Sequence, residues 1–236
     1  MTRLASLDAL RGLALLAMAA FHFVFDLSHF GLLRQDFYHD PFWLHARTLI
    51  LSSFLFLAGI SLALARNRAD ATAGFWRRVL RVGAAATLVS VGSWLAFPAS
   101  WIYFGVLHFL VLASLIAWPI LSLGPWSLLA AVAVLLLANA WSFPAFATPW
   151  LNWIGLAPEK PITEDYVPLI PWLALVLLGI LAAKLGSGAL PAWLARQNAR
   201  TPASLAWLGR HSLAFYLLHQ PVFFAGLTLL RRGASA

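Results

Sequence analysis

Apolar residues run through this chain in long blocks, broken by short segments rich in proline, glycine and charge. The blocks cover residues Leu7 to Phe30, Trp43 to Ala65, Val79 to Phe97, Ile102 to Leu121, Trp126 to Trp141, Leu169 to Leu185 and His211 to Leu230. Each approaches the ~20 residues that an α-helix needs to cross a bilayer. Phe97-Pro98, Gly124-Pro125, Pro144, Pro149, Pro158, Pro161 and Pro168 punctuate the connections, as helix breakers do. The pattern predicts an all-α, polytopic transmembrane helix bundle of about seven spans. No internal repeat or low-complexity tract is visible, so one transmembrane domain over residues 1–236 is expected.

Composition supports this class. Hydrophobic residues make up 62% of the chain and charged ones 10%, against about a quarter charged in a soluble domain. The net charge of +8 raises nucleic acid as a partner. The basic residues, however, lie between the apolar blocks, where they act as topology signals. There are no cysteines, which excludes disulfides, thiolate metal sites and Cys nucleophiles. No cleavable signal peptide is expected, because the first block contains Asp8, Arg11, His22 and Asp26 and no small-residue cleavage site closes it. Arg66, Arg68, Arg77, Arg78 and Arg81 gather at one connection, and Lys184, Arg196, Arg200 and Arg210 at another. Asp36, Asp40, Glu159, Glu164 and Asp165 occupy the opposite side. The positive-inside rule then places the N-terminus, with Arg3, in the cytoplasm, although Arg231 and Arg232 after the last block run against it.

The first block carries an anomaly. At about 100° per residue, Asp8, Arg11, His22, Asp26 and His29 fall within an arc of roughly 60° on one helix. A charge at mid-bilayer costs about 2.5–3.5 kcal/mol even on the lenient insertion scale, so this stripe must face protein or a wet cavity. Asp8 and Arg11 have the i,i+3 spacing of a local ion pair. His22 lies about 16 Å further along the helix axis. Asp26 follows it by one turn, and its carboxylate is placed to hold one ring nitrogen while the other serves as a base.

Other positions carry weaker signals. His39 and Asp40 lie in an outer loop among Tyr38, Phe42 and Trp43, aromatics suited to stacking on a sugar or to an interfacial belt. His108 sits inside an apolar block and needs a partner. His219 precedes Pro221, where a kink accounts for it. Arg66, Arg68, Arg77, Arg78 and Arg81 serve as the topology signal or as a dock for a phosphate-bearing donor. The absence of a Walker motif, a G-x-G-x-x-G and an H-E-x-x-H argues against nucleotide hydrolysis, a Rossmann cofactor and a zinc peptidase.

Several stretches taken together resemble a known family. They are Leu7-Asp8-Ala9-Leu10-Arg11-Gly12, Phe21-His22-Phe23, the loop from Phe37 to Trp43, Phe56-Leu57-Ala58-Gly59 and Tyr103-Phe104-Gly105-Val106-Leu107-His108. Leu208-Gly209-Arg210-His211-Ser212 and Leu218-His219-Gln220-Pro221 complete the set. Their order resembles the bacterial branch of the heparan-α-glucosaminide N-acetyltransferase family, within the wider transmembrane acyltransferase group. The resemblance implies transfer of an acetyl group from cytoplasmic acetyl-CoA to an amine or hydroxyl of an extracytoplasmic glycan or sugar. In the wider group an Arg and a His separated by ten residues mark the first helix, as Arg11 and His22 are here. In the heparan enzyme the reactive histidine instead precedes the second helix, and the nearest match is His39, offset by one residue. The lysosomal enzyme has more spans and a separate lumenal domain, so the acceptor does not carry over.

The expected catalytic residues are therefore His22, Asp26 and His39. Arg11, Arg77, Arg78 and Arg81 are expected to hold acetyl-CoA as the acyl donor, and Asp40, Trp43 and His108 to meet the substrate. The expected location is the bacterial plasma (inner) membrane, multi-pass, with the lipid bilayer, acetyl-CoA and a glycan or sugar acceptor as partners. A homodimer stays open; neither a metal nor nucleic acid is expected. Two alternatives remain: a proton-coupled transporter using the intramembrane His/Asp/Arg path, and a membrane assembly subunit without chemistry.

Overall fold

The structure is a computed structural model and describes residues 4–186 and 189–234; Arg3, used above for orientation, lies outside them. Among the described residues the chain is helical, with no strand. The α-helices are α1 (Ala5–His29), α2 (Pro41–Arg66), α3 (Ala71–Ala96), α4 (Val106–Ile120), α5 (Pro125–Ala138), α6 (Leu169–Leu185), α7 (Ala189–Gln197), α8 (Ala203–Arg210) and α9 (Ser212–Ala234). Four are long and apolar enough to cross a membrane: α1, α2, α3, and α9 over Ser212–Arg232. The shorter apolar helices α4, α5 and α6 have 15, 14 and 17 residues, about 21 to 26 Å at 1.5 Å per residue. Leu49, Leu80, Leu88 and Leu229 stand outward and exposed, a surface that lipid rather than water would cover.

The structure redraws several boundaries. The third block was expected to begin at Val79, but α3 starts at Ala71. Arg77, Arg78 and Arg81 therefore lie on a helix, since arginine is a good helix former and no breaker intervenes. The fourth block loses its first four residues. Gly105 is the N-cap of α4, and the Asp165 carboxylate accepts the Val106 N–H at 2.8 Å. Residues 189–210, expected as a connection, form α7 and α8.

The chain divides into two compact units. One is Leu55–Leu190, containing the second half of α2 and α3 to α6. Within it α6 packs on α5 and α4, and α3 on α4. A Cβ on Gly59 would strike the Val176 carbonyl, and one on Gly179 the Phe56 carbonyl. Small residues are what let two backbones approach this closely. At one end of these helices the Arg66 guanidinium lies 4.6 Å over the Trp118 ring, which stacks on Phe75. At the other end the loop from 139 to 168 closes on the α3–α4 connection. Asn152 Nδ2 donates to the Tyr103 hydroxyl at 2.7 Å, and the Tyr166 hydroxyl donates to the Asn152 carbonyl at 2.6 Å. Burial pushes the Tyr166 phenol up to about 12, so it remains a donor across the ordinary pH range. Replacing Asp165 by alanine removes a cap from α4 and is expected to cost about 1 kcal/mol, read as a lowered thermal midpoint in detergent.

The other unit joins Thr2–Phe54 to Pro191–Ala236. Here α1 packs against α8 and α9. Ser6 ties the start of α1 to the α7 region: its N–H donates to Asn198 Oδ1 at 3.0 Å and its hydroxyl to the Leu194 carbonyl at 2.8 Å. Gly12 abuts the Leu205 carbonyl, and Gly209 abuts the Asp8 carbonyl, so α1 and α8 touch through their backbones. The far end of α1 stops at Gly31, whose φ of 73° is left-handed. Leu32 N–H then reaches the Leu27 carbonyl at 2.9 Å and Gly31 N–H the Ser28 carbonyl at 3.0 Å, the paired bonds of a Schellman stop.

Candidate active site

The polar stripe of α1 lies in the unit of Thr2–Phe54 and Pro191–Ala236 and meets helices there. At its start Arg11 Nη1 donates to Asp8 Oδ1 at 2.9 Å, and Asp8 is buried. Further along, His22 Nδ1 lies 2.8 Å from His219 Nε2, with the two rings stacked at 18°. The partner of His22 is thus a histidine from α9, whereas Asp26 was expected from α1 itself. A side chain one turn away on the same helix runs alongside the ring, while a neighbouring helix can present a group end-on.

The proton positions follow from the acceptors. His219 Nδ1 faces the Tyr216 carbonyl at 2.7 Å, and a carbonyl only accepts, so this nitrogen bears hydrogen. In the neutral ring His219 Nε2 is then an acceptor, and His22 Nδ1–H must donate to it. That leaves the lone pair of His22 on Nε2, which has no hydrogen-bond partner among the described residues. The chain from Tyr216 through His219 thereby sets the tautomer of His22. Phe21, the residue before His22, meets Phe37 and Trp43 edge-on, which brings the loop between α1 and α2 over this part of α1.

The remaining expected residues fall in different places. Asp26 is buried, and its Oδ1 accepts Gln220 Nε2 at 3.4 Å. His29 is exposed against Phe30 and Phe224. His39 Nδ1 lies 3.0 Å from Asp36 Oδ2, with its side chain 85% exposed. The Tyr38 N–H, ahead of His39, holds the Asp36 carboxyl below the usual carboxylate range. Asp40 precedes α2, and its Oδ1 accepts the Phe42 N–H at 2.8 Å, the arrangement of a helix cap. Trp43 donates to Gln35 Oε1 at 3.1 Å and tilts against buried Phe37 at 4.4 Å, so the structure uses it to pin the loop.

His108, Arg77, Arg78 and Arg81 belong to the unit of Leu55–Leu190. His108 Nδ1 accepts the Gly105 N–H at 3.3 Å, so Nε2–H donates to Ser90 Oγ at 3.0 Å. Ser90 donates in turn to the Ile102 carbonyl at 2.7 Å. Both ring nitrogens are engaged, and the ring borders an open hollow of about 440 Å³ with Thr87, Phe104 and Trp153. Arg77 pairs with Asp70 at 2.6 Å, and Arg81 is exposed. Among the described residues no cluster of His, Asp and Glu is set to hold a metal.

Sequence reasoning missed His219 and Gln220 as partners of the stripe, because Pro221 alone seemed to account for the polar break in the last block. The available signal was that two adjacent polar residues, His219 and Gln220, interrupt a largely apolar block.

Apolar helices of membrane-crossing length, with ionisable side chains paired inside them, define a multi-pass membrane protein with an intramembrane polar site. The family model for the heparan-alpha-glucosaminide N-acetyltransferase catalytic domain matches residues 3–221, and the chain belongs to that family. It is thereby a member of a membrane acetyltransferase family. No curated protein and no solved structure matches it.

Proposed function

We propose that this protein transfers an acetyl group from cytoplasmic acetyl-CoA to an amine or hydroxyl of an extracytoplasmic glycan or sugar. Its setting is the bacterial inner membrane, with about seven spans and a cytoplasmic N-terminus. The observation that carries the reading is the hydrogen-bond chain from the Tyr216 carbonyl through His219 to His22. Acyl transfer needs a base to deprotonate the attacking group, and this chain leaves His22 Nε2 free for that task. The donor supplies an activated thioester carbonyl. His22 Nε2 takes the proton of the acceptor as its nitrogen or oxygen bonds to that carbonyl and the C–S bond breaks. His219 shares the resulting positive charge, and the proton then returns to the departing thiolate. Arg77, Arg78 and Arg81 are assigned to the phosphates of the donor, whose spacing guanidinium groups suit. Arg11 is bound to the buried carboxylate of Asp8, unlike Arg77, whose pair with Asp70 is exposed and open to exchange, so its assignment is to hold that end of α1 rather than to reach the donor.

The test is transfer of labelled acetyl from acetyl-CoA by the purified protein in liposomes to a panel of amino and neutral glycans. Labelled product that depends on His22 supports the assignment; its absence across the panel, with the protein folded, sinks it. His39 separates the two histidine assignments. Its ring hydrogen-bonds only to Asp36 among the described residues, so His39→Ala is expected to stay close to wild-type turnover. A loss as deep as that of His22→Ala would move the base to the loop.

A further inference from the structure

Asp26 stands outside the histidine chain, and its surroundings do not suit a charge. It is 0% exposed. Its Oδ1 accepts a long bond from Gln220 Nε2, while its Oδ2 has no partner among the described residues. Gln220 Oε1 is equally buried and equally without one. Among the described residues no Lys or Arg makes an ion pair with Asp26. Gln220 on α9 is its hydrogen-bond partner and His29 on α1 the ionisable group that acts on it; in sequence His22 stands one turn before it and His219 precedes Gln220. Meanwhile α8 packs against the Asp8–Gly12 end of α1, about 21 to 27 Å away along the axis at 1.5 Å per residue.

The pair is short of a donor. An ionised carboxylate offers only acceptors, so it would bury two unsatisfied oxygens with nothing between them to bind. A single proton on Oδ2 supplies what is lacking. The acid O–H can donate to Gln220 Oε1 while Gln220 Nε2 donates to Oδ1, closing the two-bond ring that carboxylic acids and amides form together.

We infer that Asp26 carries a proton in the resting protein and bridges α1 to α9 as a neutral acid paired with Gln220. Asp26 follows His22 by one helical turn, and Gln220 follows His219 directly. The bridge therefore holds the two histidines in register, and Asp26 is a positioning residue. This second part rests on the acyl-transfer reading; the protonation does not.

Two measurements separate them. Infrared spectroscopy of the whole protein in lipid at neutral pH, wild type against Asp26→Asn, reads the protonation directly. The carbonyl stretch of a protonated carboxylic acid, present in wild type and missing from the variant, is the expected result. A carboxylate band in its place, whether or not water bridges the pair, overturns the proposal. Acetyl transfer reads the positioning. Asn keeps one acceptor and gains the donor, so Asp26→Asn is expected to restore most of what Asp26→Ala loses, lying nearer wild type on a logarithmic scale. A charged carboxylate orienting a catalytic histidine behaves otherwise: in the serine-protease triad the same Asp→Asn change costs about 10⁴-fold. Turnover of Asp26→Asn nearer that of Asp26→Ala overturns the positioning role. If no variant or wild type transfers acetyl, the acyl-transfer reading fails and the infrared result still decides the protonation.

Discussion

Alanine in place of His22 is expected to lower acetyl transfer about 10²–10⁴-fold, the contribution of a positioned general base. The size of the effect follows from the free nitrogen, since nothing else among the described residues takes His22 Nε2. His219→Ala is expected to lower turnover less. It leaves the base in place but removes the acceptor that keeps hydrogen on His22 Nδ1, and the ring can then present either tautomer. The two residues are expected to act as one unit, so the double variant should be no slower than His22→Ala alone. Single-turnover measurements with saturating acetyl-CoA check all three, with thermal melts confirming that each variant is folded. Additive losses would mean that the histidines act separately and that the hydrogen bond between them does not set the reactive tautomer.

Gly209→Val is expected to destabilise the protein strongly. A Cβ at this position overlaps the Asp8 carbonyl, which belongs to the backbone of α1 and cannot rotate aside as a side chain would. Inserting carbon into a filled contact costs about 1–3 kcal/mol, occasionally more, and here either α8 or α1 must move bodily. Against a total stability of about 5–15 kcal/mol that is a large fraction. Gly226→Ala is the control. It lies in α9, where an added Cβ meets nothing within 4 Å, and a helical Gly→Ala change gains roughly 0.5–1 kcal/mol. The midpoint of thermal unfolding in detergent should fall clearly for Gly209→Val and hold or rise for Gly226→Ala. Equal midpoints would show that α1 and α8 are not in backbone contact in the membrane.

The site was only partly legible beforehand. Asp8 and Arg11 pair as their spacing implied, because i,i+3 neighbours on one helix need nothing else to meet. The pairing of His22 was not legible, since its partner lies 197 positions away in the chain. His39, Asp40 and Trp43 stood out by residue type, and the loop engages each locally: with Asp36, as a cap of α2 and against Phe37. Those bonds depend on how the loop turns, which composition does not encode. The helix α8 was hidden for a different reason. It is only eight residues long and amphipathic, so it lacks the long apolar run by which the other helices announce themselves.

What the sequence determined by itself was the class of the molecule and the problem it has to solve. With 62% hydrophobic residues in blocks of membrane-crossing length, no other helical arrangement satisfies both lipid and backbone. The five ionisable residues on one face of α1 then demanded an interior partner, because lipid does not solvate charge. Periodicity along one helix specifies a face, but not what that face meets. The tertiary structure alone supplied that answer. It put His219 against His22, Gln220 against Asp26 and the bare backbone at Gly209 against Asp8.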